Sequence, residues 1–245
     1  MFEQFPKQRP ELPPIYREIF QKHYLENREG LSRGSSLTRR MEAWMHQAVA
    51  RDVCGLSGDL STLEIGAGTL NHLPYENNVR VYDAIEPNEA LVKALPERRG
   101  KVRDCYRDIF EVPSGRSYGR VISIATFEHL TDLPAVVARA GMLLKDGGSL
   151  RVAIPNEGRW PWTLGYRLTN GLEFRLRYKL DYDVIMKHEH VNTADEIEVV
   201  LRHFFADIRC RVFGLTRGLS FYRFYECRMP VRERCQAQLS SGGRH

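Results

Sequence analysis

Two periodicities alternate through the middle of the chain. Apolar runs too short for helices stand at 60–65, 79–85, 101–106, 120–125 and 149–154. Between them lie stretches with apolar residues at helical spacing, at about 88–96 and at 132–144, where Leu133, Val136, Val137, Ala140 and Leu144 share one face. Asp146-Gly147-Gly148 reads as the stop of that second helix. Strands alternating with helices predict a doubly wound α/β domain with a mostly parallel sheet. Thr193-Ala-Asp-Glu196 has the form of a capping box, opening a helix with Ile197, Val200, Leu201, Phe204 and Phe205 on its inner stripe. Two further strands, about 207–213 and 220–228, are joined only by Gly214 to Gly218. A parallel crossover needs a dozen residues or more, so this pair must be antiparallel.

The flanks obey other rules. Residues 1–14 carry four prolines and are expected to be extended. Ile15, Tyr16, Ile19, Phe20 and Tyr24 then fall at helical spacing, and a helix at about 37–53 places Leu37, Met41, Trp44, Met45, Ala48 and Val49 together. Asn27–Ser36 reads as a loop, with Ser35 or Ser36 as the helix cap. This divides the chain into an N-terminal helical extension (1–55), a central domain (56–230) and a polar, disordered tail (231–245). The extension serves either as a lid or as edge packing. Within the domain, residues 155–192 break the rhythm with Trp160, Trp162, Tyr166, Phe174, Tyr178 and Tyr182. An insertion of this length after a fifth strand is expected to be functional or a small subdomain.

Composition narrows the class. The chain has 245 residues, 42% of them hydrophobic, enough for one sizeable core. No run approaches the ~20 apolar residues of a membrane span, and no secretory signal is seen, so a cytoplasmic protein is expected. The five cysteines are scattered without a CxxC pair, which fits reduced thiols. The net charge is +5. Segment 228–245, with four arginines and one glutamate, supplies +3 of it, so the charge is weak evidence for nucleic-acid binding.

The candidate chemistry begins at Leu63-Glu64-Ile65-Gly66-Ala67-Gly68-Thr69-Leu70, at the end of the first apolar run. Gly66 and Gly68 permit a tight turn and a close approach to a ligand. Glu86 closes the second strand, 20 positions after Gly66, where an acid accepts bonds from a ribose diol. No third glycine follows, with Leu70 two positions after Gly68. A pyrophosphate-bearing dinucleotide would want that glycine and a helix N-terminus. A nucleoside without phosphates would not, so S-adenosylmethionine (SAM) is expected rather than NAD.

Glu64-Ile-Gly-Ala-Gly resembles motif I of the class I SAM-dependent methyltransferases, and Ile85-Glu86-Pro87 resembles the acidic motif after their second strand. The resemblance spans about Leu60 to Cys227. It implies a seven-stranded sheet ending in an antiparallel hairpin, and the paired late strands agree independently of motif I. It also implies roles. Glu64 would lie near the methionine end of the cofactor, with Gly66, Ala67 and Gly68 as backbone cradle and Glu86 and Pro87 at the ribose. Asp108, with Asp104 as competitor, would meet the adenine amino group, Ile109 the ring, and Ala125 would press its backbone on the cofactor.

Thr126-Phe-Glu-His-Leu130 follows the fourth strand, beside where the methyl group would lie. Glu128 and His129 are candidates there, His129 either as a base or as cofactor-side packing. His188 and His190, before the capping-box helix, face the same cleft in this fold. Some methyltransferases of RNA 3′ ends and quinone precursors pair a Glu-x-x-Glu-His pattern with a metal. With Glu128 and His129, the stretch His188-Glu189-His190 could form an oxygen and nitrogen site for zinc or magnesium, but Ala125 stands at the first position of that pattern, one carboxylate is missing, and no metal is expected.

Over 159–187 six basic residues (Arg159, Arg167, Arg175, Arg177, Lys179, Lys187) stand against three acidic ones, and with the tryptophans they would either clamp an anionic or sugar-like acceptor or form a solvated face. The leading expectation is methyl transfer to a small molecule, O-methylation of a sugar or nucleotide-sugar-like metabolite. RNA or protein methylation and non-catalytic SAM binding are the alternatives, and a NAD-dependent dehydrogenase is a third.

Overall fold

The computed structural model describes residues 2–20, 36–53, 60–76, 79–93 and 96–242. The expected loop at 27–35, Tyr24 and Cys54 lie outside them. Helix α1 covers residues 14–20 and α2 is Ser36–Ala50. The sheet begins with β1 (Leu60–Ile65) and β2 (Val79–Ile85). Between these two strands the described residues hold only a 3-10 turn, Leu73–Tyr75. Short helices α3 (Glu89–Lys93) and α4 (Pro96–Arg99) lead to β3 (Cys105–Tyr106). There follow β4 (Tyr118–Ile124), α5 (Leu133–Leu143) and β5 (Leu144–Pro155).

The seven strands run in the order β3-β2-β1-β4-β5-β7-β6, with β6 (Phe205–Gly214) and β7 (Ser220–Pro230) as the expected hairpin. Strands β1 to β5 are parallel to one another, and β7 runs antiparallel to both β5 and β6. The strand order reverses at β1 and β4, and ligand crevices of open α/β sheets lie beyond the C-terminal ends at such a point.

Two cores flank the sheet. On one face α5 and α9 (Ala194–Phe204) bury Leu133, Val137, Ile197 and Phe204 against Val121, Leu150 and Tyr225. On the other, α2 lays Met41, Met45 and Val49 against Ile122, Ala153 and Phe224. Helix α9 starts as the sequence predicts: Thr193 accepts from Glu196 N, and Glu196 reaches back to Thr193 N at 2.8 Å.

Helix α2 is fixed by charges drawn out of the sheet. Arg120 and Arg151, both buried, donate to its last carbonyls, at Val49 (3.2 and 2.7 Å) and Ala48 (3.0 Å). Those carbonyls have no partner within the helix and favour a cation. Arg120 is in turn paired with Glu76 and Asp52.

Four local expectations need correction. Helix α5 stops at Leu143, before the glycine pair, because Leu144 is already extended (φ −76°, ψ 136°) and pairs with Tyr118 as the first residue of β5. Phe205 likewise opens β6 instead of closing α9. Strand β3 shrinks to two residues, as charged Arg103 turns its side chain to Asp83 at the sheet edge. Residues 232–241, expected to be disordered, form α10 (Arg232–Ser241). Its Cys235 is fully buried beside Gly141 and Phe205, and Val231 N donates to Phe204 O at 2.8 Å. Leu239 packs on the same core, and Arg232 and Arg234 donate to Leu144 O and His203 O, so the polar segment is docked at several points.

The insertion is helical: α6 (Trp160–Tyr166), a π turn (Arg167–Gly171), α7 (Leu172–Tyr178) and α8 (Asp183–Glu189). Phe174 and Ile185 form a small third core with Leu12 and Tyr16, so the N-terminal segment packs on the insertion. No helix among the described residues is long and apolar enough to cross a membrane.

Candidate active site

A cavity of about 1320 Å³ opens beyond the C-terminal ends of β1, β2 and β4. Glu64, Gly66, Ala67 and Gly68 line it from β1, Glu86 and Pro87 from β2, Asp108 and Ile109 from the segment after β3, and Ala125 from the end of β4. The structure thus gathers all nine residues expected at the cofactor around one space. Asp104, the competitor of Asp108, is not on its wall and pairs with Arg116 at 2.9 Å.

The turn after β1 is backbone-built. Gly66 (φ 75°) and Gly68 (φ 52°) both adopt left-handed backbone. A Cβ on Gly66 would lie 2.2 Å from Thr126 Oγ1, so the loops after β1 and β4 touch. A Cβ on Gly68 would project into open space. Gly66 N and Ala67 N both donate to Ile85 O, joining this turn to β2.

Glu86 is buried and accepts from Gly68 N (2.8 Å) and Asn88 N (3.0 Å). Each of its oxygens keeps a further lone pair. Glu64 is buried and accepts from Tyr82 Oη at 2.6 Å. Burial pushes its carboxyl up to about 8, the bond from Tyr82 only partly opposing this. Leu70, where a dinucleotide site would want open turn backbone, is fully buried in the core. No helix of eight or more residues starts here among the described residues, so no helix N-terminus is offered to a pyrophosphate.

A second chamber of about 300 Å³ adjoins the first and shares Phe20, Met45, Ala125, His129 and Glu189 with it. Trp162, Tyr166 and Tyr182 from the insertion and Tyr222 from β7 wall it. At its floor Glu128, His129 and His190 present ligand-type atoms all within 4.8 Å of one another.

Backbone bonds create this meeting. Val191 N and Asn192 N both donate to Glu128 O, at 2.9 and 3.1 Å. The buried Asn192 amide donates to Phe127 O and Leu130 O. Arg9 donates to the carbonyls of His188, Glu189 and His129. The segment before α9 is thereby fixed against the turn after β4.

The side chains are oriented as well. Glu157 accepts from His190 Nδ1 at 2.7 Å and from Trp162 Nε1 at 2.7 Å. Burial opposes a charged His190 ring, but the bond to Glu157 and the nearby carboxylates hold it above the usual histidine range. His129 Nδ1 lies 3.0 Å from Glu189 O, and a carbonyl only accepts, so this nitrogen carries the proton. Glu128 is buried, and its Oε2 has no hydrogen-bond partner among the described residues. Burial raises its carboxyl to about 7, against the pull of His190.

His188 stands apart from this group. Its ring lies on the wall of the larger cavity, with Nδ1 2.7 Å from Pro10 O. Glu157 was missed by motif reading, although it follows directly on β5, where the crevice rule places functional residues. Tyr222 and Met45 gave no signal beyond apolar periodicity. Nor do the basic residues of the insertion form a clamp. None of them lines the smaller chamber; Arg159 pairs with Asp195 and Arg167 with Asp183.

The fold is that of the class I SAM-dependent methyltransferases. The magnesium protoporphyrin IX methyltransferase ChlM of Synechocystis PCC 6803, solved with bound S-adenosylhomocysteine (SAH), superposes with a TM-score of 0.57 at 16% identity, covering 87% of this chain and 98% of that one. The N-methyltransferase NodS of Bradyrhizobium japonicum WM9, also with SAH, gives 0.55 at 13%, covering 81% and 90%. The CurJ carbon methyltransferase gives 0.56 at 20%, covering 89% of this chain and 61% of that one. No protein-family model matches the chain, and no curated protein does.

Proposed function

We propose that the chain is a SAM-dependent methyltransferase that methylates a hydroxyl of a small, uncharged, sugar-like acceptor. The observation that carries this reading is the pair of adjoining spaces. One is lined by the glycine turn, Glu86 and Asp108, and the other is an aromatic chamber with an acid–imidazole floor. Proteins that share the fold transfer methyl groups to nitrogen, carbon and porphyrin acceptors, so the acceptor is argued from the chamber alone.

The residues present suit SAM. The cradle offers turn backbone and two acids without a phosphate site. Glu86 accepts the ribose hydroxyls, Asp108 the adenine amino group, and Glu64 faces the cationic methionine end. When bound, SAM supplies an activated methyl group on its sulfonium. The chain then has to hold the acceptor in line with that group and exclude water. Phe20, Met45 and the aromatic wall provide the enclosure, and the faces of Trp162 and Tyr182 suit a sugar ring. Glu128, His129 and His190 mark the corner where the hydroxyl gives up its proton. Among the described residues no lysine or arginine lies on this wall, so none of them pairs with a phosphate or carboxylate group of an acceptor.

The test is SAH production from SAM over a panel of neutral sugars and phenols beside their phosphorylated forms. Turnover confined to neutral hydroxyl compounds is expected. Preference for phosphorylated acceptors would refute the uncharged-acceptor reading, and turnover on amines alone would refute O-methylation.

A further inference from the structure

Methyl transfer asks only for an acceptor held in place and a route for its proton. The corner at Glu128, His129 and His190 is built more tightly than that. Among the described residues, Glu128 Oε2 is a buried carboxylate oxygen without any donor, an arrangement that is costly unless something else occupies it. Both imidazoles are committed at Nδ1, His190 to the Glu157 carboxylate and His129 to the Glu189 carbonyl. In each neutral ring the lone pair is then on Nε2. A histidine whose other nitrogen donates to a carboxylate or carbonyl is the usual arrangement of a metal ligand. Glu157 is itself fixed by Trp162 Nε1.

We propose that this corner is a binding site for one divalent transition-metal ion of the zinc class, held by Glu128, His129 Nε2 and His190 Nε2, with an open position toward the aromatic chamber. The third ligand that the sequence lacks at Ala125 is supplied instead by His190, brought in by the Asn192 and Arg9 clamps. Two imidazoles and one carboxylate suit zinc, cobalt or iron better than magnesium, which prefers oxygen alone. Three protein ligands with a vacancy are the pattern of a catalytic site, not a structural one. A tetrahedral ion about 2.0–2.1 Å from each ligand spaces the ligand atoms roughly 3.4 Å apart. His129 Nε2 and Glu128 Oε1 are at 3.8 Å, and ligand atoms of all three residues lie within 4.8 Å of one another, so side-chain rotations would bring the set to that spacing.

Only the role of the ion rests on the methyltransferase reading. A hydroxyl coordinated at the open position ionises more readily, its proton passing to solvent, and its oxygen is then the nucleophile for the methyl carbon. No oxidant or reductant is involved.

The experiment uses the full chain without a histidine tag, stripped with chelator and titrated with Co²⁺, then Zn²⁺. One equivalent of Co²⁺ with visible d–d absorption, displaced by Zn²⁺, is expected. Glu128→Gln and His190→Ala should weaken binding by more than about 100-fold. Glu157→Gln should weaken it by about 10–100-fold, the usual effect of losing an outer partner of a ligand. The surface variant His203→Ala should change nothing. SAH calorimetry on each variant reports whether it is folded, and Glu157→Gln keeps the test open should a ligand variant not fold. Absence of saturable Co²⁺ binding, or stoichiometric binding that persists in both ligand variants, would overturn the site. Failure of the wild type to bind SAH would instead sink the methyltransferase reading and leave the metal result standing.

Discussion

The two spaces of the crevice are made by different means. The larger cavity is built on the ends of β1, β2 and β4 and the segment after β3, with Arg9, Phe20, Met45 and Glu189 completing its wall, and its central turn is backbone at Gly66, Ala67 and Gly68. The acceptor-side chamber is assembled from side chains of distant segments: Phe20, Glu128, Glu157, Trp162, His190 and Tyr222. The first depends on conformation, the second on the mutual placement of charges and rings. A variant in one half should therefore fail differently from a variant in the other.

The largest effect is expected on the acceptor side. Glu128→Gln should lower kcat for methyl transfer by about 10²–10⁴-fold, the range for losing a proton-handling group. The affinity for SAH should stay within about twofold. A parallel loss of SAH binding, read by calorimetry, would break the division between the two spaces.

Next in size is Gly66→Ala. The left-handed backbone alone costs about 1–2 kcal/mol, and the new methyl collides with Thr126. Both thermal stability and SAM affinity should fall together, because the turn and the loop after β4 are one structure. A thermal melt and a titration on the same sample check this. Gly68→Ala, whose Cβ meets open space, should cost less in stability while still intruding on the cofactor.

Glu86→Ala follows. It removes the acceptor of Gly68 N and Asn88 N and the proposed ribose contact, and should weaken SAM and SAH alike by about 1–3 kcal/mol, roughly 5- to 150-fold. A larger effect on one of the two ligands would show that Glu86 senses the methyl group rather than the ribose.

A further effect is linked to pH. Glu64 is protonated in the folded protein up to about pH 8, whereas in the unfolded chain it ionises near 4.5. Between those values the unfolded state binds fewer protons, so this group's contribution to stability falls as pH rises. A cationic cofactor end beside it favours the carboxylate and expels the proton. SAM affinity should rise from about pH 6 to about 8, by at most about tenfold per unit, and then level off. Calorimetry in buffers of different ionisation enthalpy reads the released proton, and Glu64→Gln should abolish it.

The same contrast governs what could be read from the sequence. Strand β2 and the capping box at Thr193 were legible because each is a local pattern with one structural solution. That Glu64, the glycine turn, Glu86 and Asp108 line one cavity was legible because strand-end geometry ties glycine and acid positions to fixed spacings. The smaller chamber was not, since nothing in the sequence fixes Val191, Asn192 and Arg9 to the turn after β4, and those contacts bring His190, not His188, to Glu128. The basic residues of the insertion left a clamp and a solvated face equally open, because only folding reveals that Arg159 pairs with Asp195 and Arg167 with Asp183. The tail misled because two apolar contacts, at Cys235 and Leu239, with arginine bonds to backbone carbonyls, outweigh a polar composition.

The most direct measurement is a calorimetric titration of the full chain with SAM, SAH and NADH in parallel. Micromolar binding of SAM and SAH at one site per chain, with none for NADH, is the predicted result. NADH binding, or no binding of SAM and SAH to protein shown to be folded, would contradict the account of the cradle.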